Sequence, residues 1–155
     1  MNLSSAYHKL DGSLVTLAGW MQPLLLLVIR GWWGWSFFLT GKGKLLHLDR
    51  TATFFAELNI PFPQLNAFMA GTTECLGGLL LLLGLGSRLA SVPLSFTMLV
   101  AYATADQAAL HAIFTDTDKF TGATPFLFLL ACLIIFTIGP GKISLDTLLT
   151  RKSEK

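Results

Sequence analysis

The sequence predicts an all-α integral membrane protein, a four-helix transmembrane bundle with a short amphipathic helix in its first loop. Three observations carry that prediction. Hydrophobic residues make up 53% of the 155-residue chain and charged residues only 13%, against roughly 25% charged in soluble domains. Four apolar segments approach the ~20 residues that a membrane helix needs. Each of them is bounded by glycine, proline or basic residues that interrupt a helix or mark a membrane surface. The lipid bilayer is therefore the first partner that the composition names. A net charge of +2 and the lack of a basic run interleaved with aromatics exclude nucleic-acid binding.

Residues 1–19 read as a polar or interfacial N-terminal lead-in. They carry little positive charge and no small-x-small cleavage site, so retention is expected. The first span covers residues 20–39, with Pro23 in its first turn, where a missing backbone N–H costs little. Trp32, Trp33, Trp35, Phe37 and Phe38 crowd its outer half as interface anchors. Gly41-Lys-Gly-Lys44 is read as the stop that ends it. Within the long first loop, residues 51–59 place Phe54, Phe55 and Leu58 on one side of a helical wheel, a surface helix that ends at Ile60-Pro61. The second span (67–85) and third (89–105) are joined by a bare turn around Gly84 and Gly86, which makes them antiparallel neighbours. The fourth (124–138) is the shortest and closes at Gly139-Pro140-Gly141. The membrane domain so defined is 20–147, followed by a basic tail, 148–155.

An even number of spans puts both termini on one side. Lys9, Arg88, Lys142, Arg151, Lys152 and Lys155 share it, against Lys42, Lys44, Arg50 and Lys119 opposite. The excess favours a multi-pass protein with both termini in the cytoplasm.

Arg30 and Glu74 are the two charges inside apolar segments. An ionisable side chain at mid-membrane costs at least ~2.5–3.5 kcal/mol, so it faces a partner or a cavity. Arg30 lies at the centre of its span and Glu74 close to the centre of the next, a depth difference of only about 4 Å. That predicts contact between them. Glu74 shares a helical face with Gly71 and Gly78, and Gly31 and Gly34 flank Arg30; small residues let a neighbouring helix approach. Trp33 is placed to stack on the guanidinium. Along the third span Ser91, Ser95, Tyr102 and Asp106 stack on one side. The candidate intramembrane polar site is thus Arg30, Glu74, Trp33, Ser95, Tyr102 and Asp106. Such an interior can hold a quinone head group, carry protons, or satisfy itself as an ion pair that fixes helix register.

Other chemistry finds little footing. Cys75 and Cys132 lie far apart in apolar segments, without a C-x-x-C or Cys/His cluster, and read as packing residues. His47 and His111 read as surface histidines, and no metal site is expected. No nucleophile–base–orienter set, Gly-rich phosphate loop or haem motif occurs. The sequence by itself does not declare an enzyme.

Three ordered motifs carry a resemblance. The first is LLVIRGWWGWSF from Leu26 to Phe37. The second is FFAELNIPFPQLNAFMAGTTECLGGLLLLLGLGSRLA from Phe54 to Ala90. The third is GPGKISLD from Gly139 to Asp146. In these stretches the chain resembles the DoxX family of small four-helix bacterial membrane proteins, over roughly residues 23–147. The resemblance implies a bacterial inner-membrane location, and Arg30 and Glu74 match the family's arginine and glutamate. It also implies association with redox complexes, since the family takes its name from a subunit of a thiosulfate:quinone oxidoreductase and others are linked to thiol handling. Two positions depart from the pattern. Asp106, with His111 beyond it, stands where many relatives have a histidine, and Gly122-Ala-Thr-Pro125 where many have an acidic residue.

Three functions compete. One is a small membrane subunit or accessory of a quinone-linked redox complex, with a redox-enzyme partner holding the other centre because the chain has no flavin or metal motif. A second is a non-catalytic membrane scaffold for a soluble partner. A third is a small solute or proton carrier, which lacks the inverted repeats typical of transporters unless the chain forms a homo-oligomer.

Overall fold

The computed structural model describes residues 3–153. Among them the chain is helical throughout and contains no strand. The order is α1 (Leu3–Leu46), α2 (Leu48–Glu57), α3 (Pro63–Leu83) and α4 (Ser87–Thr104), then the short α5 (Gln107–Leu110) and α6 (Thr117–Gly122), and finally α7 (Thr124–Ile138) and α8 (Leu145–Ser153).

The expected first span is only the middle of a 44-residue helix. It starts inside the stretch read as a lead-in and runs through Gly41 and Gly43, which were expected to stop it. Gly41 is buried because its bare Cα lets α3 approach: a Cβ there would collide with the backbone of Cys75 and Gly71. Close packing outweighs the weak helix propensity of glycine. The break comes instead at His47, after which α2 forms with Thr51 donating to the His47 carbonyl at 3.1 Å. The amphipathic helix therefore begins three residues earlier than expected. It ends near Asn59, whose φ is 57°, and Pro63 occupies the first turn of α3. The α3–α4 turn is made by Gly84 (φ 70°) and Gly86 (φ 55°), as anticipated.

Each long helix packs on the next: α1 on α3, α3 on α4, α4 on α7, and α7 back on α1. The α1–α3 seam is lined with glycine. A Cβ on Gly34 would lie 2.7 Å from the Leu82 nitrogen and 2.8 Å from the Gly78 oxygen, so the backbones are in contact. Gly31, by contrast, faces open space. The core is Phe37, Leu81, Ala90, Leu94, Met98, Cys132 and Ile135, with Phe128 edge-on to both Trp33 and Phe37. Both cysteines are free thiols.

The exterior is apolar on every side, including Leu25, Trp32, Phe68, Leu76, Val92, Phe96, Leu130 and Phe136. Large apolar side chains are thus exposed on each of the four long helices, whereas water-soluble monomers rarely expose large contiguous apolar patches. By length and composition, α1 and α3 are each able to cross a membrane; α7 is a shorter apolar helix.

Candidate functional site

Arg30 and Glu74 do not meet, which corrects the expected pair. The glycine seam sets the register of α1 against α3, with Gly34 between Gly78 and Leu82 and Gly41 between Gly71 and Cys75. By that register Arg30 is level with Gly84, and Glu74 with the turn near Thr40. About ten residues separate those levels, or roughly 15 Å at ~1.5 Å per residue. A helical side chain also leans toward its own N-terminus, which carries the Arg30 head farther from Glu74.

Arg30 is 3% exposed; its two terminal nitrogens are bonded to backbone, and its buried Nε has no partner among the described residues. Its Nη1 donates to the Pro140 carbonyl at 3.0 Å and its Nη2 to the Ile143 carbonyl. The guanidinium lies over Gly84, where a Cβ would collide with it. Beside it, Asp146 accepts from the Gly86 and Ser87 amides at 2.8 and 3.3 Å, an anion at the N-terminus of α4. The Asp146 amide in turn donates to the Gly84 carbonyl at 3.0 Å. The three sequence motifs thus interlock at one end of the protein as a clasp.

Glu74 finds its partner elsewhere. Lys44, from the last turn of α1, donates its ammonium to both carboxylate oxygens. Glu74 is 2% exposed, whereas the Lys44 side chain is 30% exposed. The pair is therefore sealed on one side and accessible on the other. Its accessible side is the floor of a cavity of about 380 Å³, walled by Phe54 and Phe55 of α2, Leu58 just beyond it, Met69 and Thr73 of α3, and Phe96, Val100 and Thr104 of α4. Phe54, Met69 and Phe96 are also among the exposed apolar residues, so the mouth opens on the apolar exterior. Lys44 was read only as a surface charge. The signal for it was its spacing of three from Gly41, which puts it on the face that meets α3.

The remaining candidates fall outside this cavity. Trp33 packs on Phe128 at 4.8 Å, and the Arg30 head is turned toward the clasp, so the expected stacking is absent. Ser91 donates to the Ser87 carbonyl at 2.7 Å, and Ser95 meets the Cys132 thiol. Tyr102 donates to the Phe120 carbonyl at 2.8 Å and stacks on the Phe120 ring at 5.1 Å. Asp106 sits in the break between α4 and α5, half-buried and close enough to Tyr102 to act on it electrostatically. Ser91 and Tyr102 are buried, Ser91 bonded within α4 and Tyr102 to α6, while Ser95 meets α7. His47 and His111 are exposed.

The sequence profile of DoxX matches residues 25–107, more than half of the chain. The protein belongs to the DoxX family. Among its relatives is a membrane protein of Mycobacterium tuberculosis named as uncharacterized, 30% identical over 138 residues that cover 84% of this chain and 85% of that one. The inner membrane protein YphA of Escherichia coli is 29% identical, covering 83% of this chain and 92% of YphA. CatD of Bacillus subtilis, whose name assigns it provisionally to the oxidoreductases, is 29% identical across 79% of this chain and 83% of its own length. No solved structure matches. As a DoxX-family chain with an apolar exterior, this is a membrane protein.

Proposed function

We propose that this DoxX-family protein is a multi-pass protein of the bacterial inner membrane that binds a quinone beside Lys44 and Glu74, as the small membrane subunit of a redox complex. In this reading α1, α3, α4 and α7 form a four-helix transmembrane bundle, α2 lies at its surface, and both termini are cytoplasmic. The observation that carries it is the cavity over the ion pair. Its volume of about 380 Å³ falls within the ~300–1,000 Å³ typical of small-molecule sites, which are apolar with a few placed polar groups. A quinone is such a ligand: an apolar ring and tail with two carbonyl oxygens. The Lys44 ammonium can donate to a carbonyl, and the Glu74 carboxyl can relay one of the two protons that the quinone takes up with two electrons on reduction. A mouth on the apolar exterior admits a ligand dissolved in lipid. The electrons come from a partner subunit that holds its own cofactor, in keeping with the name given to CatD.

The test is photolabelling of the full chain in native membranes with an azido-quinone. Label is expected on peptides from α2 and α4 that wall the cavity, and is expected to fall on competition with unmodified quinone and in Glu74→Gln. Label spread evenly over the lipid-facing helices, without competition, overturns the reading.

A further inference from the structure

The first half of α1 outruns α7. α7 ends beside Gln22 and Leu26, and every side chain from residue 11 to residue 22 is exposed. About 19 residues, or ~28 Å of helix, extend beyond that level.

This overhang is a poor helix by itself. It contains Gly12, Gly19 and several serines and threonines, all weak helix formers, and isolated helices of this length are marginal in water. Helices of that kind persist when an apolar face is packed on something.

Such a face is present, and its period identifies what it fits. Leucine recurs every seven residues at Leu3, Leu10, Leu17 and Leu24. Between them, also every seven, stand Tyr7, Leu14, Met21 and Val28. Alternating steps of four and three over four heptads make the seam of a coiled coil, with leucine at every d position. Tyr7, Leu14, Leu17, Met21, Leu24 and Val28 are each 56–65% exposed. These six seam residues are therefore uncovered by this chain.

We infer that the N-terminal half of α1 pairs with the same segment of a second copy as a parallel, in-register coiled coil. The seam is complementary to itself, and leucine at d is the preference of parallel two-stranded coils. Copies in one membrane insert with the same orientation, so their α1 helices run parallel, as that pairing demands. The flanking e and g positions through residue 20 carry one charge, Asp11, which faces Ala6 of the other copy and meets no like charge. Gly12 and Gly19 fall on the outer side, where an added Cβ would touch nothing within 4 Å. α1 is one helix from Leu3 to Leu46, so the overhang continues the line of the part that packs against α3. The inference is independent of the quinone reading.

Disulfide trapping in native membranes tests it, on the full chain with Cys75→Ser and Cys132→Ala. Mild oxidation is expected to yield dimer from Leu10→Cys and Leu17→Cys. Gly12→Cys and Gly19→Cys, on the far sides of the pair and beyond the ~7 Å Cα limit of a disulfide, are expected to stay monomeric. Equal yields on both faces, no dimer from the seam positions, or a product with a different protein overturns the proposal. So does labelling of the seam cysteines from the lipid phase, which would place the stripe on the membrane surface. Light scattering of the solubilised full chain gives a second reading. Two copies per particle are expected, and one for Leu10→Asp with Leu17→Asp; a monomeric parent chain also overturns it.

Discussion

Arg30 and Glu74 are both charged, both buried, and both borne by the α1–α3 helix pair, yet their surroundings differ in kind. Arg30 gives its terminal nitrogens to two backbone carbonyls and is closed over by the α3–α4 turn. Glu74 gives both oxygens to one lysine that still touches a cavity. The first arrangement spends a charge on holding three chain segments together. The second leaves a charged pair where a ligand can reach it. Burial of a charge in an apolar helix does not by itself distinguish structure from function; what closes over it does.

The sharpest way to break the comparison is at the clasp. Arg30→Ala removes two charge-assisted hydrogen bonds, each worth ~1.5–3 kcal/mol, and is expected to destabilise the protein by roughly 3–6 kcal/mol in thermal unfolding in detergent. A loss below about 1 kcal/mol would mean that the clasp is not holding the ends together.

The ion pair should respond asymmetrically. Lys44→Met strands the sealed Glu74 carboxylate and is expected to cost about 3–5 kcal/mol. Glu74→Gln leaves a lysine that can turn its head outward, so a loss of only ~1–2 kcal/mol is expected. Combining the two should restore part of the Lys44→Met loss, since the unpaired buried charge is the costly state. Equal losses from the single variants would show that the two sides of the pair are equally enclosed. The smallest effect belongs to Tyr102→Phe, which removes one hydrogen bond to the Phe120 carbonyl. About 0.5–1.5 kcal/mol is expected, with photolabelling of the cavity unchanged.

Much of this architecture was legible in the residues. The order of the long helices, the glycine turn after α3, and the stripe of Ser91, Ser95 and Tyr102 all follow from spacing and composition. The pairing of Arg30 with Glu74 did not, because depth was judged from the middle of each apolar run. The better ruler was in the chain as well. Gly34 and Gly41 are seven residues apart, as are Gly71 and Gly78, and laying the two pairs antiparallel sets the register. Read that way, Lys44 stands about six residues, or ~9 Å of rise, from Glu74, and the lean of its long side chain toward the N-terminus closes the gap. The length of α1 was hidden for a related reason: glycines at a helix–helix contact look like stop signals until the neighbouring helix is in place.

The clasp also has a consequence in time. The Ile143 carbonyl that receives Arg30 lies 113 residues later in the chain. At ~5–20 residues per second of synthesis, Arg30 waits roughly 5–25 seconds in or near the bilayer before its last acceptor exists. During that interval it has neither carbonyl, and a chain that stops short of residue 140 never provides them. The cost of that buried charge is thus relieved only once residues 140–143 have been made.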